Sequence, residues 1–152
     1  MSTSLLYHAF GVRGYRYMKT AFVGGGVIYS IDRRSDSCHC SVCGSENVWR
    51  QGSVTRRFRT LPIGRKPVTL SAEIPRLLCH HCGKTRQAVI GFAEPRRTYT
   101  KSFERYVLEL SKHMTIKDVA EHLGVSWDVV KDIQKRYLHK KFSKPKLKHL
   151  RQ

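Results

Sequence analysis

The sequence predicts an α+β chain in which strands come first and helices last, and three observations predict it. Two CxxC pairs, Cys40/Cys43 and Cys79/Cys82, bracket a stretch where apolar and polar residues alternate. Beyond about residue 94 the apolar spacing changes from two to three and four. Near the C-terminal end a glycine sits in a tight join between two short helical segments.

The elements follow in chain order. In residues 5–34, "YRYMKTAFVGGGVIYSIDRR" places aromatic and β-branched runs on either side of Gly24-Gly25-Gly26, the pattern of a β-hairpin. This zone carries little of the charge excess and reads as packing or spacing material. Next, "VTRRFRTL" leads through Pro62-Ile63-Gly64 into "PVTLSAEI", where Val68, Leu70, Ala72 and Ile74 alternate with Thr69, Ser71 and Glu73. Such alternation is a strand pair with one buried face. Phe58, set among arginines, reads as part of an exposed basic strand.

The cysteines frame that strand pair. Each CxxC is followed by a glycine, Gly44 or Gly83, which lets the backbone turn so that its amides face thiolate sulfur. Four thiolates from Cys40, Cys43, Cys79 and Cys82 complete a tetrahedral structural Zn²⁺ site, and two knuckles joined by a hairpin make a zinc ribbon. Cys38 lacks the two-residue spacing and is the spare thiol; His39, His80 and His81 are unneeded as ligands. A closed four-thiolate site has no open position for water, and no HxE accompanies it, so the metal holds the fold and performs no hydrolysis.

Three helices then follow. Phe103, Tyr106, Val107, Leu110 and Met114 share one helical face. Thr115 with Asp118 three residues on is an N-terminal capping box, and Gly124 ends the second helix. Ser126 is the next N-cap, with Asp128 in the first turn of a helix running toward His139. Ala120 is the small residue where helices cross, and Val119, Leu123, Val125, Val130 and Ile133 face inward. A glycine-containing turn of this length is the helix-turn-helix arrangement. The expected organisation is thus an N-terminal β-hairpin segment at 1–37, a zinc ribbon at 38–93, a three-helix helix-turn-helix domain at 94–140, and a basic linker at 141–152.

Charge selects the partner. The 152 residues carry 29 Lys and Arg against 11 Asp and Glu, a net charge of +18, which points to a polyanion. Glu73 is the only acid in the span from Arg50 to Gln87, where Arg56, Arg57, Arg59, Arg65 and Lys66 are expected to contact phosphate. On the outer face of the last helix, Ser126, Trp127, Asp128, Lys131, Asp132, Lys135 and Arg136 are the candidates for contact with double-stranded DNA. No stretch approaches the roughly 20 apolar residues of a membrane span, and the N-terminus lacks signal-peptide order. A reducing, intracellular setting without membrane attachment is expected, where paired cysteines bind metal more often than they form disulfides.

The order "CSVCGS", "RFRTLPIGRKPVTLSAEIPRLLCHHCGK", "GFAEPRRTYTKSFERYVLEL" and the helix-turn-helix resembles the N-terminal half of transposases of the ISL3 insertion-sequence family. The resemblance runs from about residue 38 to the C-terminus and accounts for Cys38, which the family's ribbon does not use. It implies a bacterial-type, cytoplasmic and nucleoid-associated protein that binds the terminal inverted repeats of its own mobile element. In that family a later RNase H-like domain with an acidic triad performs strand transfer. This sequence departs from the pattern by stopping at "KPKLKHLRQ", so no catalytic residues are expected, and the chain alone is expected not to be an enzyme. Since a transposase holds two DNA ends, a homodimer is a further expectation. Two other readings share parts of the pattern: a free-standing zinc-ribbon and helix-turn-helix transcriptional regulator, and a zinc-ribbon RNA-binding protein.

Overall fold

The computed structural model describes residues 5–33 and 38–143, in which two compact units meet at Phe103 and Glu104. The tail from residue 144, most of the expected basic linker, lies outside the described residues, as does Arg34 of the hairpin zone.

The first unit is a five-stranded sheet with a short helix. Helix α1 (Leu5–Phe10) precedes β1 (Tyr15–Val23) and β2 (Gly26–Arg33), the hairpin read from the sequence. Gly24 and Gly25 both have positive φ, 56° and 75°, which a two-residue turn of matching twist demands. Strands β3 (Val48–Ile63) and β4 (Lys66–Cys79) form the second hairpin. Its turn has Gly64 at φ 59° in first place, the II′ arrangement. The short β5 (Thr85–Gln87) pairs antiparallel with the end of β4.

The first hairpin is more than spacing material, because the strand order is β1-β2-β4-β3 and β2 pairs in parallel with β4 from Val27↔Val68 to Ile31↔Ala72. Both hairpins therefore bury one shared face. Val68, Leu70, Ala72 and Ile74 of β4 are all buried, as their alternation predicts, and Val27, Ile31, Leu6 and Phe10 join the same core. Phe58 corrects the expectation of an exposed side chain, since none of its surface reaches solvent. It lies opposite Leu70 in the ladder and meets Phe92 edge to face, ring centroids 5.1 Å apart; Phe92 makes a second such contact, also at 5.1 Å, with Tyr15. An aromatic trio of this kind gains roughly 1 kcal/mol per pair beyond its buried area.

The chain leaves this sheet by laying residues 98–100 against β3. Arg59 N–H donates to Thr98 O at 2.7 Å and Thr100 N–H donates to Arg59 O at 2.9 Å. The buried Thr100 hydroxyl then donates to Thr60 at 3.1 Å and accepts from the Phe103 amide at 3.2 Å, which caps the start of α2 (Lys101–Leu110).

In the second unit, α3 (Ile116–Leu123) begins with the capping box foreseen at Thr115. Asp118 N–H donates to the Thr115 hydroxyl at 3.2 Å, and Thr115 N–H returns a bond to the Asp118 carboxylate at 3.3 Å. Gly124 ends it in the left-handed conformation, φ 62° and ψ 43°, and the Val125 amide closes back on Ala120 O at 3.0 Å. Helix α4 (Trp127–Phe142) runs on past His139, so the first residues assigned to a linker are helical; no glycine or proline intervenes before Pro145. Ser126 occupies the N-cap with extended backbone but makes no side-chain capping bond. Val119, Ala120, Leu123, Val130 and Ile133 are buried, and Val125 is half-buried.

Phe58→Ala should remove about 3 to 5 kcal/mol of stability, measured by urea unfolding of the zinc-loaded chain. Phe22→Ala, on an exposed position of β1, should change it by less than about 0.5 kcal/mol.

Candidate metal centre and nucleic-acid interface

The two knuckles are built alike. In the first, Cys40 N–H donates to Ser45 O at 2.9 Å and Gly44 N–H to Cys40 O at 3.0 Å. In the second, Cys79 N–H donates to Lys84 O at 3.1 Å and Gly83 N–H to Cys79 O at 2.9 Å. Gly44 and Gly83 take φ of 74° and 64°, a turn that only glycine makes without strain. His80 N–H donates across to Asn47 O at 3.1 Å and ties one knuckle to the residue just before β3, beyond the other.

That doubling brings four sulfurs together. Cys40 and Cys82 Sγ are 3.6 Å apart, Cys43 and Cys79 Sγ are 3.5 Å apart, and all four lie within 4.8 Å of one another. Thiolates at about 2.3 Å around a tetrahedral zinc are separated by about 3.8 Å, so these distances fit the ion. Amide hydrogen bonds from Cys43 and then Val42 pull the Cys40 thiol down to about 6. An amide hydrogen bond from Cys82 likewise lowers Cys79. Cys43 has the Ser45 amide to favour its thiolate, yet burial and the adjoining sulfurs of Cys79, Cys40 and Cys82 push it up to about 12. Four like charges this close are mutually repulsive, and a bound dication supplies the compensating charge.

Cys38 stands outside the set. It is buried in the core of the first unit, where Arg50 Nη2 donates to its sulfur at 3.8 Å. His39, His80 and His81 are exposed, and among the described residues the four cysteines are the group arranged to hold a metal.

The arginines expected on the ribbon do not form one cluster. Arg56 shares the face of Phe58, where its guanidinium stacks 4.8 Å from the ring centroid and donates to Arg97 O at 2.8 Å. Arg57, on the opposite face, is exposed. Arg59 is half-buried, and burial lowers its guanidinium from the usual value. Arg65 and Lys66 are exposed at the hairpin turn, at the far end of β4 from Cys79, roughly 40 Å away along the strand.

Helix α4 separates its candidates more sharply. Ser126, Trp127, Asp128, Lys131 and Lys135 are exposed. Lys131 Nζ lies 4.8 Å from the centre of the Trp127 ring, a cation–π contact that holds the ammonium over the first turn. Arg136 points elsewhere: it donates to Glu104 of α2 at 2.8 Å and to Asp132 at 3.2 Å. Asp132 and Arg136 therefore position helices, while Trp127, Lys131 and Lys135 face outward. The distinction was not legible in the sequence, because Glu104 is remote along the chain.

Comparison with known families decides what these parts are. The helix-turn-helix domain of transposase family ISL3 matches residues 90–138, and the zinc-finger of transposase IS204/IS1001/IS1096/IS1165 matches residues 36–82. The chain carries the zinc ribbon and the helix-turn-helix of ISL3-family transposases. Its zinc ribbon and helix-turn-helix are DNA-binding parts of such a transposase, and Cys40, Cys43, Cys79 and Cys82 are the ribbon's structural zinc set. Both matched segments are DNA-binding modules rather than catalytic ones. No curated protein and no solved structure matches the chain significantly. No helix among the described residues is long and apolar enough to cross a membrane.

Serine replacement of Cys40, Cys43, Cys79 or Cys82 should each abolish retention of zinc through dialysis against a chelator, read as metal content per chain. Cys38→Ser should retain one zinc. Arg136→Ala should lower stability by about 1 kcal/mol, since it leaves Glu104, mostly buried, without its cation; a fall in melting temperature with unchanged zinc content is the expected readout.

Proposed function

We propose that this chain recognises the terminal inverted repeats of its own mobile element as double-stranded DNA, with α4 seated in a major groove. The observation that carries the reading is the outward face of α4, where Trp127, Lys131 and Lys135 are presented while Arg136 and Asp132 are turned to structural ion pairs. Lysine ammonium groups reach guanine edges or phosphate, and Trp127 offers an apolar surface to a thymine methyl or a sugar. Asp128, in the first turn, favours helix formation and disfavours close phosphate approach, a combination that selects among sequences. The arginines Arg57 and Arg65 with Lys66 add contacts to phosphate that carry no sequence information.

Strand transfer is assigned here to an acidic catalytic domain other than these residues. Most carboxylates of the second unit are committed to local structure: Asp118 to the cap, Glu104 and Asp132 to Arg136, Glu109 to Lys112 and Glu121 to Lys117, with Asp128 exposed at the start of α4. Such dispersed groups do not converge to bind catalytic magnesium. Pairing of two element ends by two copies of the chain belongs to the same reading.

Selection from random duplexes by the zinc-loaded chain at physiological salt should enrich one motif, and that motif should occur at the ends of a mobile element. Lys131→Ala with Lys135→Ala should erase the preference and weaken binding to the selected site at least tenfold, while non-specific affinity falls less. Absence of any enriched motif, or nicking of the selected duplex by this chain with magnesium or manganese, would overturn the assignment.

A further inference from the structure

The first unit contains an open groove of about 960 Å³ whose wall is unusually rich in arginine. It is lined from several directions: β3 through Arg56, the paired β4 and β5 through Arg76 and Arg86, the loop after β5 through Arg96, and the start of α2 through Lys101. Ser41, inside the first zinc knuckle, is also in the lining. Ala88, Val89 and Ile90 give it an apolar side. None of Arg76, Arg86 and Arg96 belongs to the set that the sequence alone singled out.

The lining cations fall into two groups. Arg56 and Lys101 build the wall: Arg56 clamps Arg97 O onto β3, and Lys101 pairs with Glu94, the one acid in the lining, at 3.3 Å. Arg76, Arg86 and Arg96 are exposed, and among the described residues their guanidinium groups have no ion-pair or hydrogen-bond partner. Three unneutralised guanidinium groups around one concavity repel each other and focus a positive field there.

Arg96 adds an independent sign. It is the only described non-glycine residue with positive φ, 63°, in a turn from Glu94 to Arg97 closed by Arg97 N–H donating to Glu94 O at 3.2 Å. With Pro95 before it, Arg96 holds the third position of a type II turn, a place where glycine would be relaxed. A side chain kept in strained backbone at the rim of a charged groove is the kind of outlier that points to function.

We propose that this groove binds the sugar–phosphate backbone of DNA, with Arg76, Arg86 and Arg96 each forked onto phosphate oxygens and the Ala88–Ile90 wall against deoxyribose. Guanidinium geometry matches phosphate oxygens in pairs, which exposed lysines cannot reproduce. The assignment rests on the DNA-binding reading above and deepens it. It gives the zinc ribbon unit its own DNA contact, separate from α4, and makes that contact depend on zinc through Ser41 and through β5, which follows the second knuckle directly.

The test measures affinity of the full zinc-loaded chain for a duplex as a function of salt. Replacing Arg76, Arg86 and Arg96 together by alanine should make the slope of log K against log salt shallower by about 2.7, at about 0.9 per phosphate contact. Hydroxyl-radical footprinting should lose one block of protection and keep another that Lys131→Ala with Lys135→Ala removes. Arg96→Gly guards against misfolding: it relaxes the turn, so melting temperature should hold or rise while the slope falls by about 0.9. Unchanged slopes and footprints in both variants would overturn the groove assignment and leave the α4 reading intact. No salt-dependent binding by the parent chain would overturn both.

Discussion

Strand β4 is the constraint on which the first unit depends, because its backbone groups satisfy three neighbours. It pairs in parallel with β2, antiparallel with β3, and antiparallel with β5 at its end. A strand shared in this way cannot shift register by one residue without moving Val68, Leu70, Ala72 and Ile74 from the core to the opposite face. The same register delivers Cys79 to the sulfur cluster, opposite Val48 in the ladder, a few residues after the first knuckle. Core burial and metal geometry are therefore two consequences of one alignment. A metal site whose ligands come from both ends of a hairpin in turn removes the alternatives in which the hairpin frays, so zinc and sheet favour each other.

Several parts of this arrangement were legible from residue types. The alternation of β4, the paired glycines behind the CxxC motifs, and the Thr115/Asp118 and Gly124 helix boundaries each depend on local chemistry, and the structure has them where local chemistry puts them. What escaped was non-local. Parallel pairing of β2 with β4 joins segments separated by a knuckle and a long strand, and no short-range pattern encodes it. Helix α1 is too short to show a period. Phe58 was hidden by its neighbours: Arg56, on the same face, would ordinarily mark that face as solvated, but it lies across the Phe58 ring and spends its hydrogen-bonding on Arg97 O. An arginine stem can cover an aromatic ring while its head remains polar, which defeats a simple reading of burial from residue type.

The two units use charge in opposite ways. In the second, acids and bases are interleaved and mostly spent on each other: Glu104 and Asp132 with Arg136, Glu109 with Lys112, and Asp118 with the α3 cap. The Arg136–Glu104 pair ties α4 to α2, while Lys131 and Lys135 remain exposed. Fixed orientation is what discrimination between base pairs needs, since a side chain free to relocate contacts many sequences equally well.

In the first unit, by contrast, carboxylates are scarce, and Arg76, Arg86 and Arg96 of the groove have no internal partner among the described residues, which on the proposed reading leaves their charge for an external anion. Such contacts tolerate any sequence, lose strength steeply as salt rises, and bring the protein to DNA before any base is read. Under the proposed reading, a recognition helix held by internal ion pairs and a ribbon unit with uncompensated arginines divide the work by physical type: one reads, the other grips. On that proposal, the division explains how a chain of net charge +18 would still select. The excess is not spread evenly over every surface, so the non-specific attraction it generates does not have to fall on the face that tells one base pair from another.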